Sequence, residues 1–145
     1  MITPYGLYLI YHETIHFLFA LPLIFLVLRN YGRKAVWLVF LVTFLIDIDH
    51  LFDLLLGGAK NLIERLTYGD IFFGIEKRYL FFHSFELAAF FFIFGMIFKK
   101  RRWFFYPFAL ALFYHILVDI VSYFEKGIMP CDYFFIYRFI NHFRP

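Results

Sequence analysis

The ionisable residues of this chain fall into a few short groups with regular spacing. His12 and His16 are four apart, with Glu13 between them, and His115 and Asp119 are also four apart. Asp47, His50 and Asp53 succeed one another at intervals of three, Asp49 precedes Asp53 by four, and His83 and Glu86 are three apart. Positions three or four apart share a face of a helix, so each segment can aim at least two groups in one direction. Imidazole nitrogen and carboxylate oxygen together suit zinc, manganese or iron better than calcium. The predicted ligands are His12, His16, Asp47, Asp49, His50, His83, Glu86, His115 and Asp119. That set has donors for two or more divalent ions, zinc foremost, with manganese or magnesium as alternatives. Asp47 or Asp49 is the candidate bridge between ions, and Glu86 or Glu13 the candidate general base. Asp53, near the end of its segment, reads as solvated, and His142 as a surface residue.

The elements that must carry these groups are apolar. The chain has 145 residues, 63% hydrophobic and 26% aromatic, with 25 Phe, and its apolar stretches are too long for one soluble core. A hydrocarbon layer of about 30 Å needs about 20 residues per spanning helix. Spans are predicted over about 4–28, 35–56, 79–98 and 103–124, with amphipathic interfacial segments at 59–78 and 128–145. The expected fold is all-α, a single integral-membrane domain built as a four-transmembrane-helix up-down bundle. That order brings the ionisable ends of all four helices to one face. By contrast, Ala20 to Ile46 and Leu87 to Tyr114 contain no Asp, Glu or His. An acid at a span centre costs about 2.5–3.5 kcal/mol on insertion scales, and a bound cation would compensate.

Two short connections are basic: Arg29, Arg33 and Lys34, and Lys99-Lys100-Arg101-Arg102. Positive charge beside spans tends to stay cytoplasmic, which puts both termini and the cluster outside. The net charge of +3 comes mostly from Lys/Arg clusters beside apolar segments and forms no stripe that could follow nucleic acid, so nucleic acid is not an expected partner; the lipid bilayer is. The lone Cys131 excludes an intrachain disulfide and a two-cysteine zinc site. The start of the chain lacks a basic region and a small-residue cleavage site, so the first span is expected to be retained.

In order, His12, Ile46-Asp47-Ile48-Asp49-His50, Phe82-His83-Ser84-Phe85-Glu86 and His115-Ile116-Leu117-Val118-Asp119 resemble the YdjM-like family. Its members are described as LexA-binding, inner-membrane-associated, metal-dependent hydrolases. The resemblance runs from His12 to about Ser122 and implies metal-ligand roles for Asp47, Asp49, His50, His83, His115 and Asp119, and a place in the cytoplasmic (inner) membrane. The sequence departs from the family where Arg78 stands for an additional His and where Val121-Ser122-Tyr123-Phe124 replaces a Pro-containing segment. The family is in turn distantly similar to zinc-dependent phospholipase C and single-strand nucleases, whose His-x-x-x-Asp helices His115 and Asp119 match.

The function expected from this reading is metal-dependent hydrolysis of a phosphoester, lipid-like substrate by metal-activated water. Lys77 and Arg78 are candidates to hold a phosphate at the entrance, and an ordinary snorkelling pair at a span end is an equal reading. Three alternatives stand beside it. His12-Glu13-Thr14-Ile15-His16 fits the zinc-protease pattern of two His flanking a general-base Glu, though a protease leaves most of the other ligands without a task. A metal or proton transporter also uses intramembrane His and Asp, but needs polar groups through both leaflets. A metal-stabilised, non-catalytic membrane protein is the third.

Overall fold

A computed structural model of the chain describes residues 4–50, 56, 77–123 and 129–144. Every regular element among the described residues is helical. Helix α1 spans Pro4–Tyr31 and α2 spans Arg33–Leu45. Gly32 joins them at φ +79°, in the left-handed region that a residue without Cβ adopts at little cost. A 3-10 turn, Ile46–Ile48, continues α2. Helix α3 spans Phe85–Ile97 and α4 spans Arg102–Tyr123, joined through the 3-10 turn Lys99–Arg101. A second compact segment follows, with a 3-10 turn at Pro130–Tyr133 and a short α5 at Phe135–Ile140.

Helix α4 is the common partner: it packs on α1, α2 and α3, and α1 also packs on α2. Small side chains permit the close approach, since Ala35, Ala88 and Ala111 lie in the core beside Val27, Val39 and Leu112. Gly95 is the tightest point. A Cβ there would lie 2.5 Å and 2.6 Å from two ring carbons of Tyr106 on α4. Gly95→Ala is therefore expected to destabilise the α3–α4 pair: overpacking costs about 1–3 kcal/mol, more than the roughly 0.5–1 kcal/mol gained from helix propensity. Thermal unfolding of the purified variant measures the difference.

Two stretches, Ile10–Tyr31 and Lys99–Ser122, are long and apolar enough to cross a membrane. Outward-facing Phe25, Trp37, Phe90, Ile93 and Ile97 are exposed around the bundle.

The structure departs from the expected elements in three places. The segment expected as one helix over 35–56 changes to 3-10 geometry at Ile46–Ile48, where Asp47 lies; residues 51–55 and, of the expected interfacial segment 59–78, residues 59–76 lie outside the described residues. The third helix begins at Phe85, not at residue 79. Residues 77–84 form an irregular loop that ends at Ser84, whose hydroxyl accepts the Leu87 N–H at 3.1 Å as an N-cap. Its 13 residues make α3 about 20 Å long. His83 and Glu86 thus do not share a helical face. The segment 129–144, expected along the membrane surface, folds back onto this loop and buries Tyr133 and Arg138.

Candidate metal centre

His12 and His16 project from α1, one turn apart, and both are buried. Asp47, in the 3-10 turn, and His50 follow α2, and His115 and Asp119 come from successive turns of α4. The loop before α3 supplies His83, which is fully buried. These groups converge. Asp47 Oδ1, His83 Nε2 and His115 Nε2 form a triangle with sides of 3.1, 3.4 and 3.2 Å. Nitrogen and oxygen ligands about 2.0–2.1 Å from a tetrahedral ion sit about 3.4 Å apart, so the triangle has the size of one face of such a site.

A second group joins His12, His16 and Asp119. His16 Nε2 is 3.1 Å from Asp119 Oδ1, and His12 Nε2 is 4.0 Å from the same oxygen. Both aspartates touch both groups. Asp119 Oδ2 lies 3.4 Å from His83 Nε2 and 3.6 Å from His115 Nε2, while Asp47 Oδ2 lies 3.8 Å from His12 Nε2. The His16 and His115 rings stack at 3.9 Å between centroids.

Asp49 has a different place. It is fully buried, and its Oδ2 accepts the backbone N–H groups of Phe82 at 2.7 Å and His83 at 3.3 Å. His83 Nδ1 faces the same carboxylate, 3.0 Å from Oδ2. In a neutral ring, an Nδ1–H donated to Asp49 leaves Nε2 as a lone pair. That lone pair faces an Asp47 oxygen, an arrangement that is repulsive without a cation between them. Asp49 therefore orients His83 and fixes its loop.

Several buried atoms of the cluster have no hydrogen-bond partner among the described residues: both His16 ring nitrogens, His115 Nδ1, Asp47 Oδ2, Asp119 Oδ1 and Glu13 Oε2. Unpartnered buried polar atoms are costly. A divalent cation bound between His nitrogens and Asp oxygens removes that cost for the atoms facing it. The residues present fit such an ion.

Of the remaining predicted residues, His50 is part-exposed, with Nε2 3.5 Å from Asp47 Oδ1, and its ring lies 4.8 Å from that of His83. Glu13 is half-buried on α1 beside His12. Glu86, expected as a ligand or base, is held elsewhere. Its two oxygens accept the Phe135 and Ile136 N–H groups at 2.9 and 3.1 Å, and Ser84 donates to it at 3.0 Å. The cause is the loop: with His83 outside the helix, the i,i+3 relation no longer points Glu86 at the cluster, and the first-turn carboxylate anchors the C-terminal segment. Lys77 is exposed and Arg78 half-buried, its backbone N–H donating to Phe143 O at 2.7 Å. His142 is exposed and Asp53 lies outside the described residues.

Arg138 was not among the residues expected to matter. Its guanidinium is buried, donating to Leu80 O at 2.7 Å, His83 O at 3.1 Å and Asp132 O. Leu80 holds φ +43°, a region unfavourable for leucine that persists only under such constraint. The available sequence signal was a single Arg inside the otherwise uncharged stretch Phe135–Ile140.

The fold and the cluster define the chain as an all-helical protein with buried His/Asp groups able to hold metal. No family model, curated protein or solved structure matches it.

Proposed function

We propose that the chain is an integral membrane protein, a four-span bundle that hydrolyses a phosphoester, lipid-like substrate with two divalent ions. The observation that carries this reading is the convergence of two adjacent His/Asp groups straddled by Asp47 and Asp119. Asp47, His83 and His115 would hold one ion, and His12, His16 and Asp119 the other, with either aspartate able to bridge. Three protein ligands per ion leave a coordination position for water or substrate, the pattern of catalytic rather than structural zinc. The His-rich donor set favours zinc over magnesium. Bound ions supply a water acidified towards neutrality and a Lewis acid for an ester oxygen, and a pair suits phosphoryl chemistry. Glu13, the half-buried carboxylate nearest in sequence to the ligands of α1, is the candidate proton acceptor.

Two apolar stretches of spanning length, the exposed apolar side chains around the bundle and the basic connections support a membrane location with the cluster towards the extracytoplasmic face. The order of motifs supports a YdjM-like hydrolase of the inner membrane.

One observation favours a second reading. His12, His16 and Asp119 form a group of two His and one carboxylate, with Glu13 placed as in zinc proteases. The adjoining Asp47–His83–His115 triangle has no task in a single-zinc protease, which weighs for the two-ion hydrolase.

The test is metal analysis of detergent-purified protein together with assays on a generic phosphodiester, a phospholipid and a peptide. Two ions per chain and hydrolysis of the phosphoesters, both abolished by chelation and restored by zinc, are the expected result. Protein purified under metal-replete conditions without bound metal would overturn the reading. Metal-dependent peptide cleavage alone would install the protease instead.

A further inference from the structure

The end of the bundle opposite the His/Asp cluster is strongly cationic. Arg29, Arg33 and Lys34 flank the α1–α2 turn at Gly32, and Lys99–Arg102 make the turn between α3 and α4. Tyr106 brings the two turns together: its ring centroid lies 6.3 Å from that of Tyr31, the last residue of α1, and 6.0 Å from the Arg102 guanidinium carbon. Every one of these cations is exposed, and none makes an ion pair among the described residues. Arg102 donates to Gly95 O at 3.4 Å, a neutral partner. The hairpin arms offer no carboxylate, since Ala20 to Ile46 and Leu87 to Tyr114 contain no Asp or Glu.

Helix dipoles account for only part of this charge. Arg29 and Lys99 stand at the C-terminal ends of α1 and α3, where cations are favourable. Arg33 and Lys34 instead open α2, and Arg102 opens α4, at ends where the dipole favours anions. Neither first turn contains an acid. An anion from outside the chain would offset both the mutual repulsion of the turns and the unfavourable helix starts.

The neighbours of the patch point to where that anion resides. Both tryptophans of the chain lie beside it, Trp37 on the second turn of α2 and Trp103 on the first turn of α4, 66% and 43% exposed. Indole rings favour headgroup depth, where the ring meets apolar chains and the N–H meets water. Ile97 and Phe98 are exposed next to the α3–α4 turn. An apolar and indole border suits a lipid better than a soluble polyanion.

We propose that this end of the bundle is a binding surface for anionic phospholipids, whose headgroup phosphates sit against the two basic turns. This rests on the membrane location proposed above and is independent of the chemistry at the other end.

Both tryptophans report from the patch, so their quenching tests it directly. Full-length protein is reconstituted in equimolar phosphatidylcholine–phosphatidylglycerol vesicles in which one lipid or the other carries brominated acyl chains. The relative association constant is expected to favour phosphatidylglycerol about fivefold, the factor for one cation–headgroup contact, and to fall towards unity as salt screens the charges. Two variants remove the turns separately: Lys99→Gln with Lys100→Gln and Arg101→Gln, and Arg29→Gln with Arg33→Gln and Lys34→Gln. Each is expected to lose much of the preference while keeping wild-type metal content at the distant cluster. Equal association of the two lipids with wild type, or a preference that both variants retain, overturns the proposal and leaves the membrane location standing. Tight binding of heparin by wild type without any lipid preference also overturns it, by making the patch a seat for a soluble polyanion. Protein that fails to float with the vesicles removes the membrane reading and this surface together.

Discussion

His83→Ala is expected to strip the metal from the Asp47–His115 position and to make the protein markedly less stable. The imidazole is fully buried and groups both with Asp47 and His115 and with Asp49 and His50, with Nε2 between 3.1 and 3.4 Å from Asp47, His115 and Asp119. Losing an orienting partner of a ligand already costs about 10–100-fold in metal affinity, so losing the ligand itself should cost more, about a thousandfold or beyond. Without the ring, Asp49 keeps its two backbone donors but loses Nδ1, and Asp47 loses its nearest His. Removing one member of a buried ion pair costs about 3–5 kcal/mol. Metal stoichiometry by elemental analysis and a thermal melt of apo protein read the two effects separately. Asp49→Asn is the informative contrast, expected to retain the ion with affinity weakened about 10–100-fold. If His83→Ala keeps both ions at wild-type affinity, the assignment of the triangle is wrong.

The second large effect is expected at a residue that is not itself a candidate ligand. Arg138→Ala removes the donor shared by the carbonyls of Leu80, His83 and Asp132. Each buried carbonyl left without a donor costs about 1–3 kcal/mol, so the clamp is worth several kcal/mol even after water replaces part of it. The loss should fall first on residues 77–84, because Leu80 holds its positive φ against that clamp. Amide hydrogen exchange is expected to accelerate at His83 and Ser84, whose N–H groups donate to Asp49 Oδ2 and Phe82 O, and to stay slow in α4. Metal affinity should drop as His83 loses its fixed position, and saturating zinc should restore part of the stability by mass action. Arg138→Lys should rescue little, since an ammonium cannot reproduce the planar fork that reaches three acceptors. A variant with unchanged exchange at 78–84 would show that the loop is held by Asp49 and Glu86 alone.

These two predictions divide along the line between what spacing conveys and what it does not. His12 with His16, and His115 with Asp119, are legible because α1 and α4 are regular helices through those positions, and a period of 3.6 residues projects such pairs from one face. The meeting of α1, α2 and α4 at the ionisable end is likewise legible, since helices joined by turns as short as Gly32 must return antiparallel. The pair His83 and Glu86 shows the limit. Its three-residue spacing reads as a helical face, but Ser84 caps the helix between them, and the same two residues serve the cluster and the C-terminal anchor respectively.

Residue types and their spacing specify the donors, their restriction to one end of apolar helices, and the metal chemistry that imidazole and carboxylate imply. Those are local properties: side-chain type and helical phase. That Asp47 and Asp119 each face two histidine groups while Asp49 steadies His83 from behind, and that Arg138 clamps the His83 loop from 55 residues further along the chain, emerges only in three dimensions. Those assignments depend on where an irregular loop and a distant segment come to rest, and no periodicity encodes that position. It follows from buried carbonyls finding a donor and from a first-turn carboxylate finding free amides, both of which exist only once the chain has folded back on itself.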